Sequence, residues 1–471
     1  MNDLNVFVII ADSWRADFLG AYGNGWIETP NLDDFAEDAT LFTEAYSENM
    51  PTLPARQSLF TGRFGLPFRR WQGLDVDFPV LAERVWGAGL KTALVGDTFP
   101  MFDHKWGGRS YDRGFENVLW VRGQGMESVL ARDEAEVDVE KYTKNDGTEI
   151  GLKIEREMTN YLKTRGEWGR KRDHFSARAV EKAVELLRNM SDSGGNRDIF
   201  FWLDLFDPHE PWDPVLPYDT KYTDLLDDGK KIVQRIARPV EGYLTAEEES
   251  HVRGQYAGMC SVTDYWIGRF LEYLKKRGFY EDSLVIFLSD HGEPLGREKW
   301  GHGITRKCRP WPYEELAHIP LIIRHPDFGH GEVLSSFVET PDVMETKVDF
   351  LGLGTQEDTH GRSLLPLIKG GLEEIRDFAI AGYHRTSWSI PDEDWTYLLW
   401  RPEADRQEVP EESLGAIKCV RGGNLKSPGE PELYDRNEDP NEENNVIRDH
   451  PEVARKMELR LRKFMDRLVW Q

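Results

Sequence analysis

The sequence predicts an α/β fold with a large, mostly parallel central sheet sandwiched by helices and a small C-terminal α+β subdomain. The first observation is that short apolar runs alternate with helical segments along most of the chain, the pattern of a parallel sheet with helical crossovers. The second is that after about residue 371 this alternation changes to short strands, Trp-rich turns and one final helix. We therefore predict a main domain over residues 1–370 and a subdomain over residues 371–471.

The predicted elements follow from where the apolar residues cluster. Residues 5–10 are an apolar run that leads into Asp12, which is typical of a central parallel strand with a polar residue at its carboxyl end. The segment 120–175 is rich in charged residues, and we interpret it as an insertion over a core edge or near the mouth of a site. The other predicted elements are helices from 29, at 80–89, at 176–188 and after Pro451, and strands at 41–46, 91–96, 198–205, 283–289 and 319–324.

Composition excludes several classes of protein. The 471 residues carry 59 basic and 84 acidic side chains, a formal net charge of −25, which disfavours nucleic-acid binding. No apolar run is long enough to predict a membrane span, and the apolar N-terminal run lacks the basic residues of a signal peptide. The three cysteines, Cys260, Cys308 and Cys419, are too far apart for a disulfide framework or a zinc motif, so we expect a cytoplasmic protein. A homo-oligomer stays open.

Polar residues at three distant places predict one site. Asp12, Thr52 and the pair Asp290-His291 are each predicted to come just after an apolar strand. Because the carboxyl ends of parallel strands meet in one crevice, we expect these side chains to lie together. Two carboxylates, an imidazole and a hydroxyl suit one divalent cation with mixed oxygen and nitrogen ligands. Such an ion would lower the pKa of the Thr52 hydroxyl and activate it as a nucleophile.

Several motifs, taken in order, resemble the sulfatase family of the alkaline-phosphatase superfamily. One motif alone would be weak, but their joint order and spacing cover most of the chain. The motifs are Pro51-Thr52-Leu53-Pro54-Ala55-Arg56 with Thr61-Gly62-Arg63, Asp207-Pro208-His209-Glu210-Pro211, Asp290-His291-Gly292-Glu293, Pro312-Tyr313-Glu314-Glu315, His318-Ile319-Pro320-Leu321-Ile322, Gly361-Arg362-Ser363-Leu364-Leu365-Pro366 and Glu432-Leu433-Tyr434-Asp435 with Asn444-Asn445.

The resemblance implies a site built around an altered nucleophile. The family normally carries Cys or Ser at the position of Thr52 and converts it to formylglycine, an aldehyde that threonine cannot form, so we expect no formylglycine. The resemblance implies one divalent ion, Mn²⁺, Zn²⁺ or Ca²⁺, bound by Asp12, Asp290 and His291 and bridged by Thr52.

The same resemblance implies three further site residues. Arg56 would orient the nucleophile or bind a non-bridging oxygen of the ester, since its planar fork suits a tetrahedral oxyanion. His209 would lie beside the ester group. His302, in Trp300-Gly301-His302-Gly303, would contact the leaving group, which needs a proton donor or a positive charge.

Departures from the family pattern shift the expected substrate. Asp12-Ser13 replaces the paired Asp of arylsulfatases and looks more like the phosphonate monoester hydrolase and phosphodiesterase branch. Residues 96–101 lack the lysine and histidine of the usual motif, and we expect His104 and Lys105 downstream to be ordinary surface residues. We therefore expect fewer cationic groups around the bound anion.

The leading hypothesis is a metal-dependent hydrolase of small anionic esters, namely phosphate diesters, phosphonates or phosphate monoesters, with Thr52 as nucleophile. A formylglycine sulfate is released when its hemiacetal collapses, whereas a threonine sulfate would have to be hydrolysed directly. Three alternatives stay open. They are a sulfatase in the broad family sense, a non-catalytic anion-binding relative, and a chain in which Thr52 replaces a natural Cys or Ser.

Overall fold

The computed structural model describes residues 5–65, 71–125, 127, 130–131, 136–166, 170–192, 198–233, 238–307, 312–354, 359–383, 387–400 and 430–469. Within these residues the strands are β1 Asn5–Ala11, β2 Thr40–Phe42, β3 Ala45–Tyr46, β4 Lys91–Gly96, β5 Asn117–Trp120, β6 Ile199–Leu205, β7 Arg238–Pro239, β8 Ser283–Ser289, β9 Leu295–Gly296, β10 Ile304–Thr305, β11 Leu321–Arg324, β12 Glu332–Leu334, β13 Val338–Glu339, β14 Ala381–Tyr383, β15 Ser387–Pro391, β16 Trp395–Trp400 and β17 Glu432–Asp435.

Helices cover both faces of the central sheet, and one further helix packs against the C-terminal sheet. None of those in the described ranges has a stretch long and apolar enough to span a bilayer. The α-helices are α1 Pro30–Glu37, α2 Thr52–Thr61, α3 Leu81–Gly87, α4 Phe99–Phe102, α5 Glu149–Arg165, α6 Phe175–Asp192, α7 Ala246–Arg277, α8 Glu314–Ala317, α9 Thr340–Phe350, α10 Leu365–Ile368 and α11 Pro451–Val469.

An eight-stranded sheet forms the centre of the molecule, in the order β12-β2-β11-β8-β1-β6-β4-β5. The five strands from β8 to β5 are mutually parallel, whereas β11 runs antiparallel to both of its neighbours. The fold class predicted from the sequence is therefore confirmed. The strand predicted at 41–46 is in fact divided between β2 in this sheet and β3, which pairs with β13.

Two apolar layers lie against the two faces of β1. Phe7, Ile9 and Ala11 belong to a buried cluster that includes residues of α1, α6 and α7. Val6, Val8 and Ile10 belong to a second cluster that includes residues of α2, α3 and α9. This alternation explains why the strand is apolar along its whole length, because each face of the sheet is covered by helices.

The register of the three central strands places their carboxyl ends level. Ala11 at the end of β1 is opposite Leu205 of β6 and Ser289 of β8. The residues that follow these ends therefore enter the same crevice, which is where ligands bind in open α/β sheets.

The C-terminal residues form a second, antiparallel sheet in the order β14-β15-β16-β17. Its apolar residues pack with those of α11 in one buried cluster. The predicted α+β character of this region is confirmed, while the boundary near residue 371 stays a prediction. Residues 401–429 lie outside the described ranges, as do Cys308 and Cys419, and Cys260 is a buried free thiol.

The charged segment 120–175 contacts the loop that follows β6. Gln124 donates to Asp207 at 2.8 Å, and Arg165 of α5 forms an ion pair with Asp213 at 2.9 Å. The segment therefore packs against the loop that carries His209, while its interpretation as an insertion near the mouth of the site stays a prediction.

Candidate active site

Asp12, Asp290 and His291 form a buried group at the level ends of β1 and β8. One ligand atom from each lies within 4.8 Å of the others, and all three side chains are fully buried. The structure therefore brings together the three residues that the sequence predicted as metal ligands.

Ser13 holds the two carboxylates in place. It adopts a left-handed backbone conformation with φ of 67°, which directs its N–H to Asp290 Oδ1 at 3.0 Å. Its hydroxyl donates to Asp12 Oδ1 at 2.8 Å. Residues other than glycine rarely adopt this conformation, and in Ser13 it allows one residue to bind both acids.

His291 presents one ring nitrogen to the carboxylates. Its Nδ1 lies 2.7 Å from the carbonyl of Gly292, and Nε2 lies 3.7 Å from Asp12 Oδ1 and 3.6 Å from Asp290 Oδ2. Burial, followed by the charge of Lys307, lowers the pKa of His291 to about 3. A neutral ring that donates from Nδ1 keeps a lone pair on Nε2, which is the form that binds metals.

The group fits a divalent cation. Within the described ranges, Nε2 of His291 is buried and has no hydrogen-bond partner. Buried polar atoms are nearly always paired, and an unpaired lone pair that faces two carboxylates calls for a cation. One nitrogen and several carboxylate oxygens suit Mn²⁺ or Zn²⁺ better than they suit Mg²⁺.

Thr52 begins α2, and Arg56 one turn later joins this helix to the carboxylates. Nη1 of Arg56 donates to the carbonyl of Thr52 at 3.1 Å, to Asp12 Oδ2 at 3.1 Å and to Asp290 Oδ2 at 2.5 Å. Thr52 and Arg56 are both buried. The start of the helix is therefore held at the carboxyl ends of the central strands, where the sequence predicted Thr52.

Asp204, within β6, is a site residue that sequence reasoning missed. It accepts hydrogen bonds from Nε and Nη2 of Arg56, from Thr98 Oγ1 at 2.6 Å and from Trp202 Nε1 at 3.1 Å. Burial opposes the charge of Arg56, but Asp204 and the other two acids outweigh it and raise the pKa of Arg56 well above its usual range. The signal available in the sequence was a lone carboxylate in an otherwise apolar strand.

The contacts of Arg56 favour one of its two predicted roles. Each nitrogen of its guanidinium donates to at least one of Asp204, Asp12, Asp290 and the carbonyl of Thr52. These contacts support a role in orienting the nucleophile and the carboxylates, whereas contact of Arg56 with an ester oxygen stays a prediction.

His209 lies in the loop after β6. Its ring stacks on Phe206 with 3.9 Å between centroids, and Nδ1 lies 2.6 Å from the carbonyl of Glu210. Burial lowers the pKa of His209 to about 3, and the positive charge of Lys307 acts in the same direction, while Glu210 and Asp12 oppose this change without outweighing it. His209 is therefore a neutral imidazole in the loop after β6, and its place beside the ester stays a prediction.

Lys307 is the second site residue that the sequence did not reveal. Its buried ammonium donates to the Ser13 hydroxyl and lies 3.3 Å from Glu293 Oε2, 3.7 Å from Glu210 Oε2 and 3.8 Å from Asp12 Oδ1. Burial lowers its pKa, but Glu210 and Glu293 outweigh burial and raise it overall. Lys307 supplies a positive charge beside the candidate site, where the sequence predicted fewer cationic groups. No sequence pattern around Thr305-Arg306-Lys307 indicated this role.

The structure gives His302 partners other than those the sequence predicted. Its Nδ1 lies 2.9 Å from Glu315 Oε1, and its Nε2 lies 2.8 Å from the carbonyl of Glu442. Its ring stacks on Tyr313 with 3.7 Å between centroids. Burial lowers its pKa, but Glu315 outweighs burial and raises it to about 9. Nδ1 therefore joins the 301–303 turn to α8 and Nε2 joins it to the C-terminal segment, and these contacts do not support a role at the leaving group.

The segment that replaces the family's lysine-containing motif carries a carboxyl group. Asp97, at the end of β4, is fully buried and accepts a hydrogen bond from the N–H of Phe206 at 2.7 Å. Burial and the nearby Asp207 raise its pKa well above the usual range. His104 and Lys105 are exposed in a short 3₁₀ helix, as the sequence predicted for surface residues.

The fold and the buried Asp-Asp-His group together define a hydrolase of the alkaline-phosphatase superfamily. Residues 4–353 match the Sulfatase family model, and the chain belongs to the sulfatase family. Members of this family generally bind a divalent metal, which agrees with the fit of Asp12, Asp290 and His291.

The chain is similar to a named sulfatase, to a multifunctional alkaline phosphatase superfamily protein and to a phosphonate monoester hydrolase. An arylsulfatase of Clostridium perfringens is 26% identical over 409 residues, 81% of each chain. The multifunctional alkaline phosphatase superfamily protein PehA of Trinickia caryophylli is 27% identical over 431 residues, 79% of this chain and 78% of that protein. The phosphonate monoester hydrolase of Agrobacterium radiobacter shares the fold, with a TM-score of 0.71, 22% identity and coverage of 98% of this chain and 96% of that chain.

Proposed function

We propose that the protein is a metal-dependent hydrolase of small anionic phosphorus esters, in which Thr52 is the nucleophile. The observation that carries the proposal is the position of Thr52. It begins a helix whose Arg56 is hydrogen-bonded to both carboxylates of the candidate metal group, Asp12 and Asp290. An ordinary alcohol at that point matches phosphoryl chemistry, in which a covalent intermediate on an alcohol oxygen is itself hydrolysed.

Asp12, Asp290 and His291 would hold the ion, with the Thr52 hydroxyl as a further ligand. The proposed ion is Mn²⁺, Zn²⁺ or Ca²⁺, of which the imidazole nitrogen of His291 favours Mn²⁺ or Zn²⁺, and no formylglycine takes part. When bound, it would neutralise charge on the ester and lower the pKa of the Thr52 hydroxyl. The N-terminal end of α2 adds a partial positive charge near the same point.

The chain's own residues then have distinct roles in two displacements. In the first, a bond forms between the Thr52 oxygen and phosphorus, the bond from phosphorus to the leaving oxygen breaks, and the Thr52 proton passes through solvent to the leaving oxygen. In the second, a water oxygen bonds to phosphorus, the Thr52 oxygen leaves, and one proton of that water returns to it. Lys307 supplies positive charge beside Ser13 and Asp12, and neutral His209 can donate or accept a hydrogen bond at the ester.

Phosphorus is favoured over sulfur for a chemical reason. A formylglycine sulfate is released by collapse of a hemiacetal, but a threonine sulfate would require direct hydrolysis. The names of relatives agree with a broad range, since one is described as multifunctional and a protein of the same fold is a phosphonate monoester hydrolase. The substrate class that we propose is therefore a phosphate diester, phosphonate monoester or phosphate monoester.

A sulfuric ester hydrolase is the second candidate. The specific observation in its favour is the arylsulfatase relative, which matches over 81% of the chain. In that case Thr52 would replace formylglycine with a lower or altered turnover.

The purified protein, supplied with Mn²⁺, Zn²⁺, Mg²⁺ or Ca²⁺, distinguishes these candidates in one assay. Its substrates are bis(4-nitrophenyl) phosphate, 4-nitrophenyl phenylphosphonate, 4-nitrophenyl phosphate and 4-nitrophenyl sulfate. We expect cleavage of at least one phosphorus ester to exceed sulfate release, and Thr52→Ala to lower its kcat by about 10³-fold or more. Sulfate release above every phosphorus ester would overturn the proposal, and bound metal without any turnover would indicate a binding protein.

A further inference from the structure

Lys347 is a fully buried lysine that the proposed chemistry does not use. It lies on α9 at 0% exposure, within the apolar layer between α9 and the central sheet. In the described part of the chain no carboxylate lies within ion-pair distance of its amino group, and burial lowers its pKa to about 7. Burial of an amino group without a carboxylate partner costs free energy, so the position of Lys347 calls for a specific reason.

The amino group of Lys347 has two partners. Nζ lies 3.4 Å from the carbonyl of Leu59, in the last turn of α2, and 4.6 Å from the centre of the Trp202 ring. Carbonyls of a last helical turn lack partners within the helix and carry partial negative charge. The face of an indole ring is also negative, and its attraction for a cation grows when both are desolvated.

Trp202 connects Lys347 to the site. Its Nε1–H donates to Asp204 Oδ2 at 3.1 Å, and Asp204 holds Arg56 through Nε and Nη2. Arg56 in turn donates to the carbonyl of Thr52. Lys347 therefore contacts the C-terminal end of α2 directly and reaches its N-terminal end through Trp202, Asp204 and Arg56.

We propose that Lys347 is a positioning residue for the nucleophile helix. It fixes the last turn of α2 and the Trp202 ring together, so that Asp204 and Arg56 hold Thr52 at the ends of the central strands. The inference rests on the proposed function only for its activity readout, since the order of α2 is measurable without turnover.

Lys347→Met separates positioning from simple packing. Methionine is close in length to lysine and carries no charge. If Lys347 only fills space in the apolar layer, this variant should keep the wild-type kcat and should resist urea at least as well as the wild type. The proposal predicts that this variant is at least as stable as the wild type, yet has kcat lowered by about tenfold with KM within about twofold, because the nucleophile is misplaced. It also predicts faster hydrogen exchange in residues 52–61 of the metal-free protein.

A double-mutant cycle with Trp202→Phe tests the route. Phenylalanine removes the N–H that binds Asp204, so Lys347→Met should have little further effect on kcat or on exchange in α2 when Trp202 is already replaced. Lys347→Gln, which keeps an N–H donor for Leu59, should recover part of the protection of α2, and Lys369→Met at an exposed lysine serves as the control.

Two results overturn the inference. One is wild-type kcat and wild-type exchange in Lys347→Met, and the other is fully additive effects in the cycle with Trp202→Phe. If the wild type hydrolyses none of the esters, the proposed function fails, and the exchange measurements alone then decide the role of Lys347.

Discussion

At the scale of single residues, the site depends on one arginine shared among three acids. Arg56 is fully buried and contacts Asp12, Asp204 and Asp290, so three buried carboxylates share the positive charge of one guanidinium. Coulombic attraction between buried charges offsets their desolvation only when the geometry is good, and loss of one partner leaves an uncompensated charge. Asp204 differs from the other two because it is not a candidate metal ligand.

Asp204→Asn therefore tests the contact between Asp204 and Arg56 without removing a candidate metal ligand. We expect a loss of about 1–3 kcal/mol in the free energy of unfolding, because the variant weakens the hydrogen bonds of Arg56 while Asp12 and Asp290 still compensate its charge. We also expect kcat/KM to fall by about 10²-fold, since Thr52 and the carboxylates lose their common anchor. Urea unfolding and steady-state kinetics measure the two effects, with exposed Asp227→Asn as the control. Wild-type stability and kinetics in Asp204→Asn would show that the contact between Asp204 and Arg56 contributes neither to stability nor to catalysis.

At the scale of elements, His302 joins the 301–303 turn to the C-terminal segment. It lies 140 residues from Glu442 in sequence, and its second partner, Glu315, belongs to α8. The turn is continuous with β10 and so with Lys307, which follows that strand. A protonated His302 therefore helps to hold in place the segment that delivers the buried ammonium to Ser13.

The pH dependence of stability tests this link. The pKa of His302 is raised from 6.5 to about 9 by Glu315, which outweighs burial, so its contribution is fully present below about pH 6.5 and is lost as the pH rises through about 9. We expect His302→Asn to lower the free energy of unfolding by about 1–3 kcal/mol at pH 6. The difference from the wild type should shrink by pH 10, with exposed His104→Asn as the control. A difference independent of pH would mean that the charge of His302 does not stabilise the fold.

The same elements show how much the sequence could predict. Asp12 and Asp290-His291 were predicted because each follows a continuous apolar strand, and the ends of parallel strands meet. Asp204 was missed because its signal was a single polar residue inside such a strand. Lys307 was missed because the two-residue strand before it has no period to detect. For His302, the resemblance suggested a leaving-group role, but local sequence could not show that Glu442 would occupy its second nitrogen.

At the scale of the whole molecule, the central sheet carries the candidate metal group, so binding of an ion there should stabilise the entire fold. Without an ion, Asp12 and Asp290 are compensated by Arg56 and more remotely by Lys307. A ligand that binds only the folded state at 100 times its Kd adds about 2.7 kcal/mol.

Chelation should therefore lower both stability and activity. We expect EDTA to reduce the thermal midpoint and to abolish ester hydrolysis, and excess Mn²⁺ or Zn²⁺ to restore both. The midpoint of Asp290→Asn should respond much less to the added ion, because one ligand is missing. Scanning calorimetry with parallel assays provides the measurement, and an active enzyme unaffected by EDTA, with no metal in elemental analysis, would contradict the assignment.

The configuration at phosphorus tests the central claim, attack by Thr52, most directly. A single enantiomer of an aryl alkyl phosphorothioate diester is hydrolysed in ¹⁸O-labelled water, and the configuration of the labelled alkyl phosphorothioate is determined. Attack by Thr52 followed by attack by water comprises two in-line displacements, so the account predicts overall retention of configuration. Inversion would mean that water attacks phosphorus directly and that Thr52 is not the nucleophile.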